Sequence, residues 1–309
     1  MRAVWLREFG NPEVLKVEDT PDPQADLDQV VVQADYANIT FVETQIRAGK
    51  APWPVQLPMI LGGGIGGHVI HSTDPGLIGA RVVTSTGGKG GYAEQAAVPT
   101  TELIPVPEDI PLDHAVALLA DGKTAVLIAD AVTLKAGDRV LVEAAAGGVG
   151  TLLVQLAKAA GAVVVAAAGG PHKTKTITGA DVVIDYLDQN WPNQVRSATG
   201  GLDLVLDGVG GHLARTAFTL LDKGGRMISY GLASGEWAAI PPETAAEHGV
   251  TLISGPPRPT PEAAREATLR AFTSVTPTIG QQFPLEQAAT AHTTMENRAA
   301  LGKTLLHTH

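Results

Sequence analysis

The amino-acid sequence predicts an α/β fold in which helices cover both faces of a doubly wound parallel sheet. The first observation is the alternation of short apolar strands with helices over residues 119–257. The second is a strand-rich segment with glycine- and proline-rich turns over residues 1–118. The third is a shorter mixed segment, residues 258–309, whose strands we expect to pair with those of the first segment.

Composition limits the classes of function. Hydrophobic residues make up 44% of the 309 residues and charged residues 17%, which suits a packed globular core. A formal net charge of −10 argues against nucleic acid or an anionic membrane as a partner. The chain has no cysteine, which excludes disulfides and thiolate ligands, and no apolar span long enough to cross a membrane. We therefore expect a soluble, cytoplasmic protein.

The individual elements follow from hydrophobic pattern and turn signals. In the first segment, "QVVVQADY" and "GARVVTST" predict strands because they are β-branched and bounded by turns. In the middle segment, "DRVLVEA" precedes a helix at about 148–160, and "AVVVAAA", "DVVIDY", "LDLVLDGVG", "GGRMISYG" and "VTLISG" are further strands. In the last segment, "TPEAAREATLRAFTSV" predicts a helix, and "TPTIGQQF" and "KTLLHT" predict strands.

A glycine-rich turn follows the first strand of the middle segment. Ala145-x-Gly147-x-x-Gly150 is the dinucleotide fingerprint G-x-G-x-x-G with its first glycine replaced by alanine. Gly147 would let the backbone approach a pyrophosphate, and Gly150 would let the helix pack closely on the strand. The helix N-terminus, with Gly148 and Val149, would supply N–H groups and a positive dipole end. The alternative interpretation is a tight turn that binds nothing.

The end of the next strand indicates which dinucleotide the turn binds. Val165–Gly170 contains no acidic residue of the kind that binds a free ribose diol, and the next ionisable residues are His172, Lys173 and Lys175. A cationic pocket without an acid suits a 2′-phosphate, so the sequence favours NADPH over NADH. A solvated helix face is the alternative role of the two lysines.

Several stretches together resemble one known family. "AAAGGVGTLLVQLAKAAGA", "LDLVLDGVG", "GGRMISYG", "TFVETQIRAG", "GGYAEQAAVP" and "ENRAALGKTLL" resemble the quinone oxidoreductase (zeta-crystallin-like) branch of the medium-chain dehydrogenase/reductase superfamily. The resemblance implies a GroES-like, mostly β catalytic domain formed by residues 1–118 and 258–309. It implies a Rossmann NADPH-binding domain, residues 119–257, inserted between them, with the active site in the cleft.

The same resemblance implies cofactor contacts at matching positions. Because the helix after Gly170 is shorter than is usual in the family, Lys175 is an alternative to Lys173 at the 2′-phosphate. The implied contacts are Gly169, Lys173, Tyr186 and Arg298 at the 2′-phosphate end, Gly208, Val209, Tyr230 and Gly231 on the nicotinamide side, and Thr124.

The sequence predicts no metal site. Zinc-dependent members of the superfamily carry a Gly-His-Glu motif, and Gly62, Gly63 and Gly64 stand at the equivalent positions. The cysteine ligands are absent as well. His68 lies in a strand-like run, and we interpret it as a packing or hydrogen-bonding residue.

The candidate catalytic residues differ from those of the family. Thr40 stands where the family has asparagine and Gln45 where it has tyrosine; both can donate a hydrogen bond to a developing oxyanion, but neither is a good proton source. Lys123, in "ADGKTA", could stabilise an enolate, or it could be a surface lysine at a helix start. Solvent is the remaining source of the proton.

These observations predict an NADPH-dependent, zinc-independent reductase of a quinone or an α,β-unsaturated carbonyl. An enoyl reductase acting on a thioester or a natural-product intermediate, and an NADPH-binding sensor or structural protein with little turnover, are the alternatives. The strand "GVTLISG", residues 249–255, is short, apolar and expected at a sheet edge, so we predict a homodimer through it. The prolines that follow could instead block the edge and leave a monomer.

Overall fold

The computed structural model describes residues 1–253, 255 and 259–309 and contains two compact units. The first unit comprises Met1–Asp121 and Pro277–His309, and the second comprises Gly122–Thr276. The first is mostly β and the second is built on a parallel sheet, so the predicted fold class is confirmed. The predicted domain boundaries, after residues 118 and 257, stay a prediction.

Residues 1–121 contain mainly strands. The predicted strands "QVVVQADY" and "GARVVTST" are both present. In chain order the elements are β1 (Arg2–Leu6), β2 (Leu15–Asp19), β3 (Gln29–Ile39), α1 (Phe41–Arg47), β4 (Met59–Ile60), β5 (Gly64–His71), β6 (Arg81–Ser85), β7 (Gln95–Pro99), β8 (Leu103–Pro105) and α2 (Leu112–Ala117).

Residues 122–276 alternate helix and strand, as the hydrophobic pattern predicts. The elements are α3 (Lys123–Val132), β9 (Arg139–Val142), α4 (Gly148–Ala159), β10 (Val163–Ala168), α5 (Pro171–Thr174), β11 (Val182–Asp185), α6 (Trp191–Thr199), β12 (Leu202–Asp207), α7 (Gly211–Phe218), β13 (Leu221–Ser229), α8 (Pro242–His248), β14 (Thr251–Ile253) and α9 (Pro261–Ser274). Residues 277–309 add β15 (Ile279–Pro284), α10 (Ala288–Glu296) and β16 (Lys303–His307).

The sheets of the first unit join its two chain segments. Among the described residues, one sheet has the order β15-β16-β3-β5-β6-β8, with β7 also paired to β3, and a smaller sheet has the order β2-β1-β4. β16 pairs with β3 in antiparallel register, Thr304 opposite Ile39. The prediction that the C-terminal strands pair with the first segment is therefore confirmed. The core of this unit includes the buried side chains of Leu6, Val32 and Leu306.

The sheet of the second unit is parallel, with the strand order β11-β10-β9-β12-β13-β14 in the part of the chain that is described. Its central strands are apolar and buried: Val140, Leu141 and Val142 have no more than trace exposure because helices cover both faces. In this order β9 lies between β10 and β12, so the ends of three strands meet beside the turn that follows β9.

Two elements differ from the prediction in extent or placement. The predicted strand at 249–255 is shorter, Thr251–Ile253, and Ser254 and residues 256–258 lie outside the described residues. The helix predicted at the start of the last segment is α9, which packs in the second unit, where Arg270 pairs with Asp130 of α3. No helix in the described ranges is long and apolar enough to cross a membrane.

Candidate cofactor and active site

The glycine-rich turn joins β9 to α4 in a tight backbone arrangement. Ala144 adopts a left-handed conformation with φ 50°, and the N–H of Gly147 donates to the Ala144 carbonyl at 2.9 Å. A Cβ on Gly150 would lie 2.3 Å from the Ala144 carbonyl oxygen, so only glycine fits there. The predicted role of Gly150 in close packing is consistent with this contact.

The N-terminus of α4 is suited to a phosphate group. Its N-cap is Gly147, which has no side chain to accept the first N–H groups of the helix, and Gly147, Gly148 and Val149 are half-buried. A Cβ on Gly147 would meet only the Ala144 carbonyl oxygen within 4 Å, at 3.2 Å, so the turn is open on its other sides. Free N–H groups and the positive end of a 12-residue helix fit an anionic group.

The ends of β10 and β11 bring together Gly169 and Tyr186, two of the residues predicted for the 2′-phosphate. A Cβ on Gly169 would lie 2.9 Å from the ring of Tyr186, so these two residues are in contact. Lys173 is half-buried on α5, whereas Lys175 is exposed at its end. Asp185 also lies here, a residue that the sequence analysis did not consider, and its Oδ1 accepts hydrogen bonds from the N–H of Gly170 and of Leu187.

The residues predicted for the nicotinamide side also lie together. A Cβ on Gly208 would lie 2.7 Å from the Tyr230 hydroxyl, and one on Gly231 would lie 2.7 Å from the Gly208 carbonyl oxygen. The Tyr230 hydroxyl donates to the main-chain carbonyl of Glu143 at 3.3 Å. Burial and, next, the nearby Asp207 raise the pKa of Tyr230, so its phenol is neutral.

Two acidic side chains are fully buried at the ends of β9 and β12. Asp207 accepts hydrogen bonds at Oδ1 from the N–H of Val209 (2.9 Å) and of Gly210 (2.7 Å), and at Oδ2 from Ser229 Oγ (2.7 Å). Glu143 directly follows β9, and among the described residues no donor reaches either oxygen of its carboxyl group. Burial and the neighbouring Asp207 raise the pKa of Glu143 well above its usual range, and the nearby Val209 N–H opposes this shift.

In the first unit, Thr40 is the N-cap residue of α1, and its N–H donates to Oε2 of Glu43 at 2.6 Å. Oε1 of Glu43 accepts the N–H of Gly63 at 2.7 Å, and Oε2 also faces the Tyr92 hydroxyl at 3.1 Å. Glu43 thus links the turn that carries Thr40 to the run of three glycines at residues 62–64. Burial raises the pKa of Glu43, and the hydrogen bonds from Thr40 and Gly63 oppose this shift.

The buried network continues from Tyr92 to α10. The Tyr92 hydroxyl lies 3.1 Å from Nε2 of His292, whose Nδ1 is buried without a partner among the described residues. Burial and the positive charge of Arg47 lower the pKa of His292 to about 3, so its imidazole is neutral at neutral pH. Burial raises the pKa of Tyr92 well above its usual value, and its phenol is neutral as well.

The other predicted residues are distributed over both units. Gln45 lies on α1 of the first unit and donates from Nε2 to Thr44 Oγ1 at 3.1 Å. Lys123 and Thr124 begin α3 in the second unit. Arg298 is exposed in the first unit, after α10, with φ 54°. Their roles stay predictions.

Within residues 1–253, 255 and 259–309, no cluster of three His, Asp or Glu side chains could hold a metal ion. Nδ1 of His68 lies 3.2 Å from Asp35 Oδ2, and its predicted packing or hydrogen-bonding role stays a prediction. The absence of a catalytic metal remains a prediction.

Sequence reasoning missed the buried acids Glu43, Glu143 and Asp207. A signal for two of them exists, because "LVEA" and "LVLDG" each place an acid at the end of an apolar strand. Such an acid lies at the carboxyl edge of the sheet, where ligands of parallel α/β domains bind.

Comparison with known proteins places this two-unit architecture among the medium-chain dehydrogenases. The zinc-binding dehydrogenase family model matches residues 148–271, and the alcohol dehydrogenase GroES-like domain model matches residues 26–108.

Individual relatives cover nearly the whole chain. Quinone oxidoreductase of Homo sapiens is 32% identical over 323 residues, which span 99% of this chain and 97% of that protein. A 2-haloacrylate reductase of a Burkholderia species is 30% identical over 328 residues, 98% of each chain. The crystal structure of Escherichia coli quinone oxidoreductase complexed with NADPH superposes with a TM-score of 0.90 at 26% identity and covers all of both chains. The chain belongs to the quinone oxidoreductase family, the zeta-crystallin-like branch of the superfamily.

Proposed function

We propose that this chain is an NADPH-dependent oxidoreductase that transfers a hydride to a quinone or an α,β-unsaturated carbonyl compound without zinc. The observation that carries the proposal is the turn from Ala144 to Gly150, where an uncapped helix N-terminus is available to a pyrophosphate. The NADPH complex of the Escherichia coli relative supports the choice of cofactor.

The proposed cofactor contacts follow the two clusters of the second unit. Gly147, Gly148, Val149 and Gly150 hold the pyrophosphate with their backbone. The proposed contacts of the 2′-phosphate are Gly169, Lys173, Tyr186 and Arg298. Those of the nicotinamide side are Gly208, Val209, Tyr230 and Gly231, and Thr124 is a further proposed cofactor contact.

The reaction requires charge stabilisation on the substrate. NADPH, when bound, supplies the hydride, and the acceptor carbonyl oxygen gains negative charge as the hydride arrives. We assign the hydrogen-bond donors for that oxygen to the Thr40 hydroxyl and the Gln45 amide, and additional charge stabilisation to the Lys123 ammonium group. The Thr40 turn is held by Glu43, which accepts its N–H. We assign the final proton to solvent.

A second candidate function is reduction of an α,β-unsaturated acid or thioester. The 2-haloacrylate reductase relative favours it, because that substrate name denotes an activated double bond rather than a quinone. A third candidate, an NADPH-binding protein with little turnover, follows from the replacements at Thr40 and Gln45.

The discriminating experiment measures NADPH oxidation by its near-ultraviolet absorbance with a benzoquinone, a naphthoquinone, an enone, a 2-haloacrylate and an enoyl thioester. Turnover confined to the quinones or the enone supports the first function, and turnover confined to the acrylate or the thioester supports the second. NADPH binding without turnover of any acceptor supports the third. Activity should survive chelation, and stoichiometric zinc by elemental analysis would contradict the zinc-independent mechanism.

The phosphate assignment is tested by cofactor binding. Losing a charge-assisted hydrogen bond costs about 1.5–3 kcal/mol, so Lys173→Ala and Arg298→Ala should each weaken NADPH binding about tenfold or more and leave NADH binding nearly unchanged. Lys175→Ala is the matched control, because that lysine is exposed. Equal weakening of both cofactors would contradict the assignment, and an effect of Lys175→Ala alone would transfer the role to Lys175.

We also propose that the chain forms a homodimer through the 249–255 segment. The support is that β14 pairs with β13 at one end of the sheet order and has no second strand beside it among the described residues. Leu252 is 36% exposed near the middle of this strand, so Leu252→Pro should shift the mass measured by light scattering towards one chain. A wild-type protein that scatters as a monomer at high concentration would contradict the proposal.

A further inference from the structure

The carboxyl groups of Glu143 and Asp207 are neighbours at the carboxyl end of the parallel sheet. Strands β9 and β12 pair with Val142 opposite Leu206, so the next residue on each strand is an acid. The N–H of Glu143 donates to the Leu206 carbonyl at 3.0 Å, which continues the pairing to this position. Neither side chain has measurable exposure to solvent.

Hydrogen bonds identify which of the two acids carries the charge. Asp207 accepts from two backbone N–H groups and from the Ser229 hydroxyl, a donor set that stabilises a carboxylate. Neither oxygen of Glu143 accepts a hydrogen bond from the described residues, although its carboxyl is buried; the nearby N–H of Val209 donates to Asp207 instead. An ionised Glu143 would lose its hydration without gaining a hydrogen bond, and its charge would be repelled by that of Asp207, so ionisation would destabilise the folded state.

Two carboxyl oxygens can form a hydrogen bond only if a proton lies between them. We propose that Glu143 is protonated at neutral pH and donates this proton to Asp207, and that it thereby positions the Val209–Gly210 turn. This inference rests on the proposed function, which assigns Val209 to the nicotinamide side of the cofactor site.

The proposal makes Glu143 a positioning residue that acts through Asp207. The titratable groups that face it are Asp207 from β12 and Tyr230, whose hydroxyl donates to the Glu143 carbonyl; Tyr186 is the next phenol beyond Tyr230. Ionisation of Glu143 would set a second negative charge against Asp207 and disturb the acceptor that holds the turn. NADPH binding should therefore weaken as pH rises through the pKa of Glu143.

The proton itself is tested without cofactor by infrared spectroscopy of the full chain. At neutral pH, wild-type protein made with carbon-13 carboxyl-labelled glutamate should show a labelled C=O band of a protonated carboxyl group. Glu143→Gln should remove that band. Glu43→Gln is the matched control, because Glu43 is the other buried glutamate in the described chain but accepts several hydrogen bonds, and its replacement should leave the band in place. Absence of the band in the wild type, or its survival in Glu143→Gln, would overturn the proposal.

The positioning role is tested by NADPH fluorescence titrations at two pH values. From about pH 6 to about pH 9, the NADPH dissociation constant of the wild type should rise about fivefold or more relative to that of Glu143→Gln, whose amide keeps a donor to Asp207. Equal pH dependence in both proteins would overturn the positioning role.

Failure of the proposed function gives a different result, namely no NADPH binding at any pH with the infrared band intact. If Glu143→Gln does not fold, the labelled wild type still decides whether a protonated glutamate exists. Labelling aspartate instead of glutamate then excludes Asp207 as its source, and a band that follows the aspartate label would overturn the assignment.

Discussion

Each unit of this protein buries a glutamate, but the two environments are opposite. Glu43, 3% exposed in the first unit, receives two backbone N–H groups and faces a tyrosine hydroxyl. Glu143, 0% exposed in the second unit, receives no donor among the described residues and faces another acid. The comparison shows that burial alone does not fix the charge of a carboxyl group, because the donors around it decide which form is stabilised.

His292 of the first unit and Glu143 of the second should change stability with pH in opposite directions. In the first unit, the pKa of His292 falls from 6.5 to about 3, so the unfolded state binds more protons between these values and stability is lost as pH falls below 6.5. In the second unit, the raised pKa of Glu143 means that the folded state binds more protons. Its contribution is full below the unfolded value of 4.5 and is lost as pH rises towards the folded pKa.

The largest effect should come from His292. Each pH unit between the two pKa values corresponds to about 1.4 kcal/mol, so the wild type should lose about 3 kcal/mol more than His292→Gln over the first two units below pH 6.5. Urea unfolding of both proteins at several pH values measures this difference. Because both carry the same surface carboxylates, the titration of those groups cancels in the comparison. Parallel stability curves for the two proteins would show that His292 has the same pKa in the folded and unfolded states and would contradict this prediction.

Glu43→Gln should destabilise the protein by about 2 kcal/mol at neutral pH. An amide has one acceptor oxygen, so its NH₂ group must face at least one of the donors from Thr40, Gly63 or Tyr92 and leave it unsatisfied. The urea midpoint, with an unchanged slope, measures the loss. A variant as stable as the wild type would mean that Glu43 is not held as a carboxylate.

Glu143→Gln should stabilise the protein, in contrast to Glu43→Gln. At about pH 8 we expect it to be more stable than the wild type by about 1–2 kcal/mol, because the amide donates to Asp207 without an ionisation cost. Below about pH 3.5, one unit under the unfolded value of 4.5, the two proteins should be equally stable, since the wild-type carboxyl is protonated there in both folded and unfolded states. Thermal unfolding of both proteins across this pH range measures the difference. A variant less stable than the wild type at about pH 8 would contradict the prediction.

The smallest expected losses of stability come from removing the hydroxyl groups of the two buried tyrosines. Tyr92→Phe should cost about 1 kcal/mol because its hydroxyl serves both Glu43 and His292. Tyr230→Phe should cost about half as much, since its hydrogen bond to the Glu143 carbonyl is long, 3.3 Å. Urea unfolding measures both losses, and a larger loss of stability for Tyr230→Phe than for Tyr92→Phe would contradict this prediction.

Sequence periodicity predicted the elements well because local pattern determines them. The helix expected at about 148–160 is Gly148–Ala159, and Gly150 in its first turn leaves no room for a Cβ. The unit in which α9 packs was not predictable in this way. Its period indicates a helix, but the layer it joins depends on partners such as Asp130 of α3.

The buried networks escaped prediction because their members are distant in the chain. Tyr92 and His292 are 200 positions apart and meet only through the packing of the first unit. Glu143 and Asp207 each end an apolar strand, but their contact depends on β9 and β12 being neighbours in the sheet, which the strand order and not the local sequence determines. The residues of the glycine turn, in contrast, are adjacent in sequence, so the spacing of Ala145, Gly147 and Gly150 alone predicts the turn.

The pairing of β16 with β3 has a consequence for biosynthesis. Residues 303–307 lie between β15 and β3 in the larger sheet of the first unit, yet a ribosome makes them only after the whole of Gly122–Thr276. The nascent first segment therefore waits, with residues 36–39 of β3 lacking the strand that will pair with them, while every residue of the second unit emerges. Because domains generally fold as units during translation, the later-synthesised parallel sheet is free to complete first, and the earlier strands depend on the last few residues to close.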